Sequence, residues 1–263
     1  MDFGIAGRVA LVCGSSQGLG RAISDVLAAE GADVVINSRS ADKLETVRAQ
    51  IAEASGANVH AAAADLTDPA AVDHIVRAAE QAFGKIDILV TNTGGPPAGA
   101  FEDHSPEVWR NAIAQNFESV VNLTRAVLPG MKERRWGRIV NVTSVSVKQP
   151  VDGLILSNAI RAGVTGFAKT VSNEVASFNV TVNNVLPGFT HTERSRHLAE
   201  KVAERDGITV EQAYEAWEGE IPMGRLADPP EFGAVAAFLC SEQASYVTGQ
   251  SIAVDGGWIK GLV

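Results

Sequence analysis

The chain has 263 residues, 46% hydrophobic and 20% charged, a balance that excludes a mainly disordered chain and supports a large core. Lys plus Arg total 22 against 31 Asp plus Glu, a net charge of −9. An acidic chain without basic clusters is a poor partner for nucleic acid or an anionic membrane, and no apolar run is long enough to span a bilayer.

In chain order, RVALVC (8–13) reads as a buried strand that ends in a glycine-rich turn. Residues 18–30 follow with helical spacing, Leu19, Ile23, Val26 and Leu27 on one side, and Gly31 as the stop. DVVIN (33–37) is the second strand and 41–55 the second helix, ending before Gly56. NVHAAA (58–63) is a third strand, weakened by its alanines. Pro69 sits near the start of the next helix, where its missing N–H costs nothing. KIDILVTN (85–92) is the fourth strand, and 106–130 one long helix with Pro106 near its start and Pro129 near its end. GRIVNVTS (137–144), a long helix over 155–178 and VTVNNVLPG (180–188) come next. Residues 191–222 are polar and helical in character, 229–240 form a further helix, and SIAVDGG (251–257) is a seventh strand.

Strands alternating with helices predict a parallel, doubly wound sheet covered on both faces. No Pro/Ser/Gly-rich linker, repeat or low-complexity tract divides the chain, so the expectation is a single domain over 1–263. The stretch 191–222 breaks the alternation. It holds His191, His197, Tyr214 and Trp217 among many charges, and it reads either as a substrate lid or as a solvated helical hairpin. The opening MDFGIAGRVALVCG has no basic segment followed by an apolar one. Cys13 and Cys240 lie in apolar surroundings. Buried free thiols in a reducing cytoplasm are therefore expected, with neither metal site nor disulfide framework.

Three short motifs carry chemistry. CGSSQGLG places Gly14, Gly18 and Gly20 between the first strand and the first helix, with Ser16, Gln17 and Leu19 between them. Glycine lets the backbone approach a pyrophosphate, and the helix N-terminus supplies free N–H groups and a positive dipole end. Asp65, followed by Leu66, can accept from an adenine amino group or cap the following helix. Asn92, Thr93 and Gly94 in NTGG suit close approach to a ribose, or a plain turn backed by Pro96 and Pro97.

These motifs, taken with Asn116, IVNVTS (139–144), LPGFTHT (186–192), GRLADPPEF (224–232) and SYVTGQSIAVDGG (245–257), fall in the order of one family. The chain resembles the short-chain dehydrogenase/reductase family over nearly its whole length, closest to its β-ketoacyl-acyl-carrier-protein-reductase-like members. The resemblance implies a Rossmann-type domain, hydride transfer between a nicotinamide cofactor and a carbonyl or alcohol, and a homotetramer, with a homodimer next. It also implies that Pro187, Gly188, Thr190 and Thr192 face the cofactor. The long helices and the closing stretch GGWIKGLV would form the subunit contacts. At the tip of the second strand, Ser38 and Arg39 stand where a carboxylate would select NAD(H). A guanidinium there suits a 2′-phosphate, so NADP(H) is expected in preference to NAD(H), unless Arg39 merely faces solvent.

The catalytic positions depart from the family pattern. Ser144 and Asn116 match its Ser and Asn. The family then places a Tyr and a Lys where this sequence has Ser157, thirteen residues past Ser144, and Arg161, four further on. The following AGVTGFAKT (162–170) continues in register. The chain's two tyrosines are Tyr214, within the 191–222 stretch, and Tyr246, which reads as structural. A serine hydroxyl is a weak proton donor, and an arginine holds its proton. Lys148, His191, His197 and Tyr214 are candidate substitutes, each with a plain surface role as the alternative, and Ser146 is a further candidate hydroxyl contact. Two functions follow. One is an oxidoreductase with an altered proton donor. The other is a catalytically silent NADP-binding protein, a sensor or structural subunit.

Overall fold

The structure, a computed structural model, describes residues 2–262. Val- and Ile-rich runs form the strands β1 (Val9–Val12), β2 (Asp33–Ser38), β3 (Val59–Ala63), β4 (Ile88–Thr91), β5 (Gly137–Val142), β6 (Val180–Pro187) and β7 (Ser251–Val254). The helices between them are α1 (Gly18–Ala29), α2 (Ala41–Ser55), α3 (Pro69–Phe83), α4 (Pro106–Ile113), α5 (Ser119–Glu133), α6 (Ile155–Val175), α7 (Glu193–Asp206), α8 (Val210–Glu220) and α9 (Pro229–Leu239). All strand pairs are parallel, in the order β3-β2-β1-β4-β5-β6-β7. The chain winds outward from β1 to β3, then returns to the other side of β1 with β4. That reversal opens a crevice at the carboxyl ends of β1 and β4, where α/β sheets bind ligands.

Side chains of one strand alternate between the two faces. Ala10 and Val12 pack with Ile23, Leu27, Leu44 and Phe232 of α1, α2 and α9. Leu11 and Cys13 pack with Ile75, Leu123, Val127 and Ala168 of α3, α5 and α6. Both cysteines are free and buried, and burial pushes both thiols up to about 12. A buried polar chain crosses four strands: Thr91 donates to Asn141 (2.7 Å), Asn141 to Asn184 (3.1 Å) and Asn184 to Ser251 (3.1 Å). It pins the register of β4 to β7, running from the carboxyl end of β4 to the start of β7.

One predicted element needs correction. The expected helix 106–130 is interrupted: a π-helical turn, Ala114–Glu118, separates α4 from α5, which runs on to Glu133 with Pro129 inside it. One extra residue in a turn leaves the apolar period nearly unchanged, so the sequence pattern does not register it, and such turns favour functional sites. The 191–222 stretch becomes two helices, α7 and α8, capped by Thr192 and Thr209. Its aromatics do not project into solvent. Phe189 stacks on Trp217 at 4.8 Å, and Tyr214 and Trp258 complete a cluster over Leu186, Ile221 and Leu226. Tyr246, expected to be structural, is fully exposed in the single chain. Val263 of the closing stretch lies outside the described residues.

Candidate functional site

The glycine turn is built so that nothing larger fits. Gly14 has φ +60°, and a Cβ there would meet the Asn92 side chain and carbonyl oxygen at 2.8 Å. A Cβ on Gly20 would lie 2.3 Å from the Gly14 carbonyl oxygen. Asn92 Nδ2 donates to the carbonyls of Cys13 (3.3 Å) and Gly14 (3.2 Å), tying the tip of β4 to the turn. The Gln17 side chain makes no capping bond to α1, whose first turn also lacks an acidic residue. The amides of that first turn are left open to an anion. Gln17, Gly18 and Arg21 form one wall of a cleft of about 380 Å³, and His191, Thr192 and Pro229 line the other.

Beside this turn, the buried Ser38 Oγ has no hydrogen-bond partner. Arg39 next to it is exposed. The Asp65 carboxyl is held below its usual range by the Thr67 amide and hydroxyl, with Arg39 contributing its charge. Asp65 does not cap α3, as one reading of the sequence allowed; Asp68 does, accepting from the Ala70 amide at 2.9 Å. Leu66 is buried just behind. An orphaned hydroxyl, an exposed guanidinium and open helix amides fit the phosphates of a dinucleotide.

The π turn presents Asn116 to the opposite wall. Asn116 is 2% exposed. Its Oδ1 accepts from Thr93 Oγ1 (3.0 Å) and Arg161 Nη2 (3.3 Å), and its Nδ2 donates to Ala112 O (3.2 Å). Both lone pairs of the amide oxygen are therefore engaged, leaving one N–H free. Gln115 donates to the Gly94 carbonyl at 3.4 Å. Arg161, buried on α6, also donates to Val142 O at 2.7 Å, which fixes it to the end of β5. Burial, and then the charge of Arg194, pushes the Arg161 guanidinium down to about 10, so it stays protonated at neutral pH.

Ser144 Oγ accepts from the Ser146 amide at 3.1 Å, so its own O–H is free to donate. Ser157 lies beneath, its Oγ 3.3 Å from Ser146 Oγ. The structure thus brings Ser144, Ser146, Ser157, Asn116 and Arg161 to one wall. The candidate substitutes fare differently. His197 is on the outer face of α7, paired with Glu200 at 2.9 Å, and is not near this wall. Lys148 is exposed, and His191 stands in the cleft with its ring 6.0 Å from that of Tyr214.

Pro187 and Gly188 end β6, where a Cβ on Gly188 would lie 2.7 Å from Asp255 Cα. Thr190 is buried and bridges to Ala227, and Thr192 caps α7 by accepting from the Ser195 amide at 3.2 Å. Arg194, missed by the sequence reading, reaches from α7 to the β4 loop and donates to Pro96 O at 2.8 Å. Nothing marked it out among the charges of 191–222. Among the described residues, no group of three His, Cys, Asp or Glu is placed to hold a metal, and no helix is long and apolar enough to cross a membrane.

Comparison with known proteins places the chain. The family described as enoyl-(acyl carrier protein) reductase matches residues 14–259. D-beta-hydroxybutyrate dehydrogenase of Cupriavidus necator is 39% identical over 261 residues, covering 96% of this chain and 98% of the relative. The 3-oxoacyl-[acyl-carrier-protein] reductase FabG of Escherichia coli is 36% identical over 251 residues, covering 95% and 97%. Among solved structures, L-sorbose reductase from Gluconobacter frateurii, complexed with NADPH and L-sorbose, superposes with a TM-score of 0.95 at 33% identity, over 100% of both chains. With its parallel seven-stranded sheet and these relatives along its whole length, the chain belongs to the short-chain dehydrogenase/reductase family of oxidoreductases.

Proposed function

We propose that this protein is an NADP(H)-dependent oxidoreductase acting on a small carbonyl or alcohol substrate, with a proton route that does not use the family's Tyr and Lys. The observation that carries this reading is the junction of the two walls. Asn92 binds the glycine turn, and the adjoining Thr93 binds Asn116 and so meets Arg161. A nucleotide cleft and a polar reaction wall thus share one loop. NADPH in the L-sorbose reductase complex and 3-oxoacyl reduction in FabG support the cofactor and the substrate class.

In this reading Gly14, Ser16, Gln17, Gly18, Leu19 and Gly20 hold the pyrophosphate. Ser38 and Arg39 hold the 2′-phosphate, and Asp65 and Leu66 border the adenine. Asn92, Thr93, Gly94 and Arg161 hold the ribose beside the nicotinamide, which Pro187, Gly188, Thr190 and Thr192 enclose. When bound, the nicotinamide supplies or accepts the hydride. Ser144 donates its free O–H to the substrate oxygen and orients it. Arg161 keeps a positive charge at the wall and stabilises negative charge developing on that oxygen. Ser157 cannot act alone as the acid, because a serine hydroxyl is so weakly acidic. Water held on the free N–H of Asn116 supplies the proton, with His191 the second candidate donor.

The α7–α8 pair serves as the substrate lid of this single domain. Subunit contacts form through α4, α5 and α6 in a homotetramer, or failing that a homodimer; the exposed Phe101 and Ile113 lie in or beside α4. The test is NADPH oxidation over a panel of carbonyl compounds, with the cofactor titrated separately. Turnover that is lost in Ser144→Ala supports the reading. Cofactor binding without turnover on any carbonyl would establish the silent NADP-binding protein instead.

A further inference from the structure

Among the described residues, Arg161 and Arg194 are two cations without an acidic partner. Arg161 is 8% exposed, and its bonds within the chain go to a backbone carbonyl and an amide oxygen, both neutral. Among the described residues neither arginine makes a salt bridge; Arg194 is exposed, as are several other unpaired arginines, so the cost of an unanswered charge falls on the buried Arg161. A buried guanidinium with no counter-charge is costly, and a second cation nearby adds to the cost.

The two meet at the same loop. Arg161 binds the amide oxygen that Thr93 also binds. Arg194 lies along Gly95, where a Cβ would stand 3.2 Å from its Nε and Nη2, and it is held by Pro96 O. Each guanidinium can donate up to five hydrogen bonds, so both have donors to spare. Ribose hydroxyls would satisfy N–H groups, but they are neutral and leave the charge unanswered.

Resting on the oxidoreductase reading above, we propose that the substrate carries a carboxylate close to its reacting carbon, seated on Arg194 with the Arg161 charge behind it. The substrate class is then a short oxo acid or the matching hydroxy acid. The reaction is unchanged by this: the carbonyl carbon gains hydride and its oxygen gains a proton, while the carboxylate stays ionised as an anchor. A planar carboxylate suits the planar fork of arginine, which accounts for Arg rather than Lys at both positions.

The experiment measures binding first and turnover second. Straight-chain 2-oxo and 3-oxo acids, and their methyl esters, are titrated by calorimetry into the protein–NADPH complex. The expected result is at least tenfold tighter binding of an acid than of its ester. Arg194→Gln is expected to abolish that difference and Arg194→Lys to restore part of it, with NADPH affinity the same in all three proteins. Equal binding of acid and ester, no binding of either, or a loss of NADPH affinity in Arg194→Gln would overturn the proposal; the last would assign Arg194 to the cofactor pyrophosphate. Tight acid binding without turnover would uphold the carboxylate site and defeat the oxidoreductase reading, so the two fail separately.

Discussion

The two walls of the crevice are built to different rules. On the side of β1 and β2, function lies in backbone: a turn into which no side chain fits, helix amides left open, and one orphaned hydroxyl at Ser38. On the side of β5 and α6 the wall is built of side chains, Ser144, Ser146, Ser157, Asn116 and Arg161, joined by hydrogen bonds; in the function proposed above, these carry the chemistry. Backbone sites tolerate little change, because the glycines have no alternative. Side-chain sites can exchange chemistry while the fold stays the same. The contrast fits a chain that keeps its family's architecture while, in the function proposed above, two serines and an arginine line the wall beside the substrate.

The sharpest way to break this contrast is Gly20→Ala. Its Cβ would overlap the Gly14 carbonyl, so the turn must open. Overpacking of this kind costs about 1–3 kcal/mol, and NADPH affinity should fall by roughly that energy, about fivefold to 150-fold, in a fluorescence titration. Retained affinity would show that the backbone cradle is not what binds. Next in size is Arg39→Asp. Losing a charge-assisted contact worth about 1.5–3 kcal/mol should reverse the preference from NADPH to NADH, read as the ratio of the two dissociation constants. An unchanged ratio would place Arg39 in solvent.

Asn116→Ala tests the seam between the walls. It strips a partner from the buried Arg161 and from the part-buried Thr93, and a buried group left unpaired costs about 1–3 kcal/mol. Denaturant unfolding should show a loss in that range, with turnover lowered as well. The smallest effect concerns Cys13, beneath the glycine turn, and Cys240, at the end of α9. Both thiols are raised to about 12 in the fold, from an unfolded value near the model-compound range of about 8.5. Between those values the folded state binds more protons than the unfolded one. Stability contributed by the two thiols is therefore complete below the unfolded value and lost as pH climbs toward 12. Neither should alkylate at pH 8.5 until denaturant is added, and NADPH should slow residual labelling of Cys13 more than of Cys240. Fast labelling of native Cys13 would mean that the turn opens freely.

The order of strands and helices and the glycine turn were legible because each depends on spacing along one chain; the Ser144–Asn116–Ser157–Arg161 set came from the family resemblance, and the structure brings these four side chains to one wall. The π turn was not, since an inserted residue leaves the apolar period looking helical. Asp65 and Asp68 are both plausible caps, and only the chain path decides between them. His197 and Arg194 lie three residues apart on one polar helix. Which of them faces the site depends on how α7 packs, and the structure turns Arg194 toward the β4 loop and leaves His197 outside. The pairing of Ser146 with Ser157 joins residues eleven apart and needs the β5–α6 geometry to appear.

In the proposed function the reaction wall works without the family's Tyr and Lys. The direct measurement compares NADPH oxidation by the natural protein with that by the double variant Ser157→Tyr, Arg161→Lys, on the same carbonyl panel across pH. Measurable turnover is expected in the natural protein and, in the double variant, an altered pH profile rather than a first appearance of activity. NADPH bound with no turnover in the natural protein, and activity arising only in the double variant, would contradict it.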